Sequence, residues 1–587
     1  MCGIISCITS TNESLNIINN GLNLLMNRGY DSKGISIFNK YNELECHKSL
    51  NKDHNFHIEP IPNIIIGHNR WATHGLSNLK NAHPHVSMNN LFSIVHNGII
   101  TNYLLHKDVL INEGYEFKSD TDTEVIVNLL ESIYLKCNDI KSSIYQLILR
   151  LEGTWAIVIL CKDKQNSIFC VKNSIPLLIS HELNTSIISS EVYGFYKSCN
   201  YIILDDNDIC ELNIIDNKIN MIVDGKYNQY TYNHQSINRL NNNSYYLEEF
   251  NDQKLFNETI LNRRISSNNR ILFDELNPYI NILRNKHLIL LGCGSSYNAC
   301  LYSYSFFKGL FTTITIYDGC NFKPDEDIIF QNTCIIILSQ SGETGDLIKH
   351  MDFIKDHNIF TVGVINVKDS LLSRKVDCTC YLNINKEYSV ASTKSFTGQC
   401  VTLILLSLWI KQIYRIKIDN TLTLLKQCIN DMNHVINNIN NLISNKVINI
   451  LNTNHYILGN RKSYSISKEA SLKIKEVSYI HSESVNLSSI KHGPLALVDK
   501  NFPVIIIDNS INCINNTYNE IKSRGAPIIC ITSNKEYNDE LSICIPHNSI
   551  FFDLLSIIPL QYIAYLLALK NNINPDYPRN LAKVVTV

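Results

Sequence analysis

The chain has 587 residues, too many for one hydrophobic core, so roughly two to four domains are expected. Hydrophobic residues make up 45% and charged residues 18%, the balance of an ordinary folded protein. A net charge of −2 gives no electrostatic case for nucleic acid or an anionic membrane as partner. Nineteen cysteines without C-x-x-C pairs, and no apolar leader after Met1, point to reduced thiols in a cytoplasmic compartment. The longest apolar run, Val401 to Ile410, is about half of a membrane span.

The first third, residues 1–225, reads as one domain of short strands and two helices. Strands are expected at Ile64 to Gly67, Leu91 to Val95, Thr154 to Leu160 and Ile187 to Ser189. Leu15 to Met26 and Glu124 to Leu135 have helical spacing. The chain opens Met1-Cys2-Gly3, and removal of the initiator Met would leave Cys2 with a free α-amine. An amine with pKa about 7.7–8.0 beside a thiol with pKa about 8.5 supplies base and nucleophile from one residue. Four polar clusters follow: Arg28 to Ser32, Arg70-Trp71-Ala72-Thr73-His74-Gly75, His96-Asn97-Gly98, and Ser119 to Glu124. Each has a plain structural alternative, such as a hairpin turn at Asn97-Gly98 or a helix start at Ser119 to Glu124. Together with Cys2 they supply what glutamine hydrolysis needs: an Arg and an Asp for the α-carboxylate and α-ammonium, and amide donors for an oxyanion.

These motifs resemble the glutaminase domain of class II glutamine amidotransferases. The resemblance implies a four-layer αββα sandwich with Cys2 as nucleophile and its own amine as base. It implies that Arg70, Thr73, His74 and Asp122 bind glutamine and that Asn97 and Gly98 form the oxyanion hole.

Residues 226–285 read as a linker, with a loop signal at Asn241 to Ser244 and helical spacing at Leu255, Thr259 and Ile260. Beyond it the sequence repeats itself. His287 to Tyr297 is echoed by His455 to Tyr464, Cys334 to Ser339 by Pro503 to Asp508, and Thr361 to Asn366 by Pro527 to Thr532. The repeat divides the remainder into residues 286–440 and 441–575, with a tail at 576–587. β-branched runs ending in small-residue turns and alternating with helices indicate two α/β domains with parallel sheets.

Gly292-Cys293-Gly294-Ser295-Ser296 and Ser339-Gln340-Ser341-Gly342-Glu343-Thr344 fall at expected strand ends, where hydroxyls and amides make a phosphate site. Neither contains a P-loop lysine or a full dinucleotide fingerprint. In the second copy Asn460-Arg461-Lys462 replaces the small residues, so phosphate binding is expected in the first copy alone.

This half resembles paired sugar isomerase domains, and the whole chain resembles the glutamine–fructose-6-phosphate aminotransferase (isomerizing) family. The likeness includes Val390 to Lys394, Glu469 to Glu476, Lys491 to Leu497 and Pro578 to Lys583. Departures are few: Glu248, Lys254, Ser389 and Ser395 stand where the family commonly has Lys, Pro, Gly and Ala. The resemblance implies conversion of fructose 6-phosphate and glutamine to glucosamine 6-phosphate and glutamate, the first step toward UDP-N-acetylglucosamine. It assigns proton transfer to Glu476 with Lys473, ring opening to His492, and the Schiff base to Lys583. Ser295, Ser296, Ser339, Gln340, Ser341 and Thr344 would take the phosphate, while Val390 and Ser392 line the sugar and Ala582 lies in the closing tail. Trp71 would gate an ammonia channel, the isomerase halves would pair as a homodimer, and no metal or other cofactor is implied. Two other readings are another class II amidotransferase, which the isomerase repeat opposes, and a non-catalytic sugar-phosphate sensor. Cys2, Glu476, His492 and Lys583 together oppose the second.

Overall fold

The computed structural model describes residues 2–71, 75–232, 244–284, 286–328, 332–509, 515–534 and 540–584. The chain forms two compact units, Met1–Asn238 with Val584–Val587, and Arg239–Lys583.

In the first unit, alternation along each strand sends side chains to opposite faces and builds layers. Ile4 and Ile8 of the strand Gly3–Thr9 point into a core shared with Val95, Val158 and Leu160 of a second sheet. Ile5 and Cys7 of the same strand point the other way, against Ile17, Ile18 and Leu22 of the helix Ser14–Leu24. The outer face of the second sheet is covered by the helix Asp122–Cys137, through residues such as Val125, Leu129 and Ile133. Helix, sheet, sheet and helix therefore stack with three separate apolar cores, the αββα sandwich. The first sheet has eight strands and the second six, and every pairing in them is antiparallel. Gln229–Tyr232 pairs with Cys199–Ile203 at the edge of the first sheet, so this sheet continues past residue 225.

Asn97 and Gly98 are not in a hairpin turn. They lie inside the strand Phe92–Ile100, opposite Ala156 and Trp155. Gly98 takes φ +123, and a Cβ there would fall 2.0 Å from the Thr154 carbonyl oxygen. The Asn-Gly pair serves a close backbone approach instead of a reversal.

In the second unit the stretch expected to link domains carries the helix Tyr245–Arg264, with Tyr246, Phe250 and Ile260 buried in the main core. The loop signal at 241–243 lies outside the described residues. Two five-stranded parallel sheets follow with identical topology. Their spatial orders are Thr313–Asp318, His287–Gly292, Thr333–Ser339, Phe360–Ile365, Cys378–Tyr381, and Ser482–Asn486, His455–Gly459, Val504–Ile507, Ile528–Thr532, Ser542–Cys544. In chain order each is 2-1-3-4-5, so the switch point lies between the first and third strands. The two long apolar helices Lys394–Ile413 and Phe552–Lys570 satisfy the length and composition of a membrane span, but 83% and 78% of their apolar windows are buried inside the unit. They are core helices here, and the first is about twice as long as the run Val401 to Ile410 suggests.

The repeat extends to backbone angles. Gly294 precedes its helix with φ 55 and ψ −124, and Arg461 precedes the matching helix with φ 52 and ψ −116. A Cβ-bearing residue is strained in that region. Arg461→Gly should therefore raise the stability of the second unit by about 1 kcal/mol, read as a higher thermal or urea midpoint. An unchanged or lower midpoint would show that Arg461 carries no such strain.

Candidate functional site

The first unit builds its pocket from strand ends. Gly3 pairs with Asn69 across the antiparallel ladder, which brings Cys2 opposite the end of Ile64–Arg70. The Trp71 N–H donates to the Cys2 sulfur at 3.2 Å. Arg70, Trp71, Gly98, Asp122 and Thr123 line a pocket with Cys2, closed from behind by His83 and His96. Burial pushes the Cys2 thiol up, while the Trp71 amide, Arg70 and Arg28 oppose it.

Asn97 is fully buried, and its Oδ1 faces His68 Nε2 at 3.1 Å, which also meets the His96 carbonyl at 3.0 Å. Burial holds His68 down to about 3, so this ring is neutral. With Oδ1 occupied, the amide orientation is set and Asn97 Nδ2 is left buried without a hydrogen-bond partner. An unsatisfied buried donor costs about 1–3 kcal/mol, and a developing oxyanion would satisfy it. Asp122 opens the helix Asp122–Cys137, where Thr121 is the N-cap, and its Oδ2 accepts from the Ile100 N–H at 3.0 Å. The helix start expected at Ser119 to Glu124 is therefore present, and it also carries a pocket residue. Trp71 packs edge-on against Tyr30 with ring centres 5.4 Å apart. Thr73 and His74 lie outside the described residues.

In the second unit the two small-residue loops follow the strands His287–Gly292 and Thr333–Ser339, the pair that flanks the switch point. Ser339 Oγ meets Thr344 Oγ1 at 3.0 Å and accepts from the Gly342 N–H at 2.9 Å, while Ser341 Oγ accepts from the Glu343 N–H at 3.1 Å. Gln340 is half-buried in the same loop. In the other loop Ser296 accepts from Gln399 Nε2 at 2.9 Å. Ser295 faces a different group: its Oγ donates to Glu469 Oε1 at 2.8 Å and accepts from Lys473 Nζ at 3.0 Å. In the second copy the corresponding turn is filled by protein, because Lys462 reaches the Ile550 carbonyl and pairs with Asp553 at 3.6 Å.

Glu469, Lys473 and Glu476 share one face of the helix Lys462–Ser478, but it is not a solvated face. Glu469 and Lys473 are fully buried, Lys473 pairs with Glu476 at 2.6 Å, and Asn298 Nδ2 donates to Glu469 at 2.8 Å. Burial alone would strip the Lys473 charge, but Glu469 and Glu476 outweigh it and raise its pKa. Glu469 is raised by burial, against the pull of Lys473.

Lys583, two residues past the tail's half-buried Leu581, is itself buried at its amine and pairs with Glu387 Oε2 at 2.5 Å, with Ser392 Oγ at 3.5 Å. Glu387 also accepts the backbone N–H groups of Thr393 and Ser395 at 3.0 and 3.2 Å. Burial works against this carboxylate, yet Lys583 and Ser395 bring it down to about 2. Val390 is buried next to it with its N–H on the Asp576 carbonyl at 3.1 Å, and Ala582 is half-buried. His492 stands exposed after the turn at Ser489, and among the described residues no hydrogen bond or ion pair joins it to Lys583 or Glu476.

Comparison with known proteins fits both halves. Residues 68–197 match the glutamine amidotransferase domain family, and residues 281–408 and 452–570 match the SIS domain family. Over its full length the chain is 38% identical to the "Probable glutamine--fructose-6-phosphate aminotransferase [isomerizing]" of Acanthamoeba polyphaga mimivirus, covering all of that protein. It is 35% identical, again over all of both chains, to the glutamine–fructose-6-phosphate aminotransferase (isomerizing) of Buchnera aphidicola from Baizongia pistaciae. The chain belongs to this aminotransferase family. A solved C-terminal domain of glucosamine-fructose-6-phosphate aminotransferase from Francisella tularensis superimposes with a TM-score of 0.54 at 24% identity, covering 58% of this chain and all of that domain, which speaks for the fold.

As in any member of the family, the residues quoted from motifs need supports, and several of these escape sequence reasoning. Glu387, Glu249, Asn298, Gln399 and His68 were not singled out. Glu249 accepts from the Tyr388 and Ser389 N–H groups and is raised to about 8, chiefly by burial. An acidic residue with long-range backbone partners has no local spacing signature. His68 had one usable signal, a polar ring inside the apolar strand Ile64–Arg70 two residues before Arg70.

Glu387 gives a signed prediction. Its carboxyl is lowered by folding, so its contribution is present above the ordinary value near 4.5 and is lost as pH falls toward about 2. Glu387→Gln leaves Lys583 buried without a counter-charge and should cost about 3 kcal/mol at neutral pH. The gap in unfolding midpoint between wild type and variant should narrow as the pH is lowered through that window. A gap independent of pH would mean that the pair does not stabilise the unit.

Proposed function

We infer that this chain converts D-fructose 6-phosphate and L-glutamine to D-glucosamine 6-phosphate and L-glutamate. The observation that carries this reading is that one chain holds both a Cys2 thiol in a pocket with Arg70, Gly98 and Asp122 and a buried lysine–carboxylate pair between Lys583 and Glu387. The first is suited to acyl transfer and the second to imine chemistry on a sugar phosphate. The full-length likeness to aminotransferases supports the same conclusion.

In this proposal Arg70 and Asp122 hold the glutamine carboxylate and ammonium, with Thr73 and His74 completing the site. The Cys2 amine takes the thiol proton as sulfur attacks the side-chain amide, and Asn97 Nδ2 with the Gly98 N–H receives the oxyanion. Ammonia leaves, and water then releases glutamate from the thioester. In the second unit Ser296, Ser339, Gln340, Ser341 and Thr344 take the phosphate. Val390, Ser392 and Ala582 enclose the sugar, His492 opens its ring, and Lys583 condenses with the C2 ketone with loss of water; ammonia then adds at C2 and displaces the lysine amine, leaving the sugar imine. Glu476 carries a proton between C1 and C2, with Lys473 holding its charge. Ser295 acts with Lys473 and Glu469 as a positioning group more than as a phosphate ligand, given its two partners. Trp71 is assigned the gate that keeps ammonia from water. The boundaries 1–225, 226–285, 286–440, 441–575 and 576–587 are the functional divisions we propose, within a cytoplasmic homodimer.

Purified protein given amide-15N glutamine and fructose 6-phosphate should produce 15N-labelled glucosamine 6-phosphate and glutamate in equal amounts. Glutamate without amino sugar would refute the reading. An uncleaved N-terminal extension, which removes the free Cys2 amine, should abolish glutamate release and leave fructose 6-phosphate binding intact. Full glutamine-dependent activity in protein shown by mass spectrometry to retain the extension would exclude the amine as base.

The exposed position of His492 supports a role for it in the partner's site. In a mixed dimer of differently tagged His492→Ala and Lys583→Ala chains, one site regains both residues and the other loses both. About half of wild-type activity should return, because an isologous dimer has equivalent sites. A mixed dimer as inactive as its parents would place His492 in its own chain's site.

A further inference from the structure

A cluster outside these assignments sits on the carboxyl edge of the first parallel sheet. Cys293 follows the strand His287–Gly292, Cys320 follows Thr313–Asp318, and Asp346 lies on the turn of helix Gly345–Ile348. The two cysteines are 27 residues apart in the chain and form no C-x-x-C pair. The sheet brings them together: Gly292 pairs with Asp318, so the residues leaving the two strands are neighbours. One ligand atom from each of the three side chains lies within 4.8 Å of the others. Cys320 Sγ meets Asp346 Oδ2 at 3.2 Å. Gly319 lies between them, and a Cβ there would fall 2.7 Å from Cys293 Sγ, so the glycine leaves the sulfur its place.

We propose that Cys293, Cys320 and Asp346 form a binding site for a soft divalent metal of the Zn2+ class. Two thiolates and a carboxylate are a donor set that favours such an ion over Mg2+ or Ca2+. Zn–S bonds of about 2.3 Å and Zn–O bonds of about 2.0–2.2 Å require donor separations of roughly 3.3–3.8 Å. The present separations reach that geometry by side-chain movement of about 1 Å or less. The surroundings also favour a cation. Burial first and then the charges of Asp318, Cys320 and Asp346 push the Cys293 thiol up to about 12, and burial with Asp346 and Asp318 pushes Cys320 up to about 11; a cation would answer the charge part of both. Lys349, on Asp346 at 2.7 Å, faces the cluster, as does His350, whose Nε2 lies 3.3 Å from the Gly319 carbonyl. Binding replaces both thiol protons, which pass to the buffer, so the metal adds two positive charges as two protons leave, with no change of oxidation state. Three protein donors leave a fourth position for water. The site stands independently of the proposed reaction, which needs no metal at these residues. Because Cys293 belongs to the Gly292–Ser296 loop, an occupied site would also hold one side of that loop.

The test is a Co2+ titration of the full-length reduced chain in a Cys2→Ala background, since a terminal thiol and amine would themselves chelate the ion. A near-ultraviolet thiolate-to-cobalt charge-transfer band should saturate at one equivalent, and Zn2+ should displace it. Cys320→Ser, an exposed and structurally mild change, should remove the band, as should Cys293→Ser. Asp346→Asn should weaken binding at least tenfold, whereas Cys137→Ser, on a helix of the other unit, should leave it unchanged. A band that survives Cys320→Ser, or no saturable band in the parent, would overturn the proposal.

Discussion

The second unit depends on a single buried charge pair near the end of the chain. Lys583 lies four residues from the C-terminus, where a lysine is ordinarily solvated, yet its amine is buried against Glu387. Burying two charges costs several kcal/mol per ion, and that cost is offset only where every lone pair has a partner. Glu387 meets the condition through Lys583, the Ser395 hydroxyl and the N–H groups of Thr393 and Ser395. The tail is fixed from its other end as well. Asp576 accepts the N–H groups of Tyr245 and Tyr246, capping the helix Tyr245–Arg264, while its own carbonyl takes the Val390 N–H. Entry helix, Val390 loop and tail are thus one hydrogen-bonded assembly. Burial and then the charges of Glu476, Glu469, Glu387 and Glu249 all raise the Tyr246 phenol, which places these acids around one interior.

The first unit solves a different problem, holding Cys2 just ahead of a strand. Antiparallel register does this. Strand Gly3–Thr9 is central in its sheet, flanked by Thr185–Ser189 and Ile64–Arg70, so Cys2 cannot fray far from Trp71. The buried Asn97 amide comes from the other sheet and is oriented by a neutral histidine. His68 is held near 3 by burial, so the ring acts as a fixed dipole at neutral pH and not as a titrating base. In the reaction we propose, the Cys2 amine is the base.

Much of this was legible in the sequence, for identifiable reasons. Periodicity gave the helices Ser14–Leu24 and Asp122–Cys137 and the strands around Ile64, Val95, Leu160 and Ile187, because each has one face in an apolar layer. The repeat located both parallel sheets, whereas the matched turn angles at Gly294 and Arg461 are hidden by the change of residue type. The motifs located Cys2, Asn97 and Lys583. What the sequence hid were contacts across long separations. Asn97-Gly98 looked like a turn because the dipeptide suits one, whereas the constraint is the Thr154 carbonyl 57 residues or so away. The burial of Glu469, Lys473 and Glu476 has no local signature, because their cover, Ser295 and Asn298, comes from the other repeat. Cys293 and Cys320 looked unrelated until strand pairing placed them side by side.

If the buried pair is the resting form of the amine that condenses with the sugar, Lys583 is the one lysine that a bound ketose should mark. Borohydride added to the protein with fructose 6-phosphate would reduce any imine to a stable secondary amine, and peptide mass spectrometry would locate it. The account predicts a single sugar-phosphate adduct on Lys583, absent in Lys583→Arg. An adduct on Lys473 or Lys394 instead, or none under conditions of turnover, would contradict it.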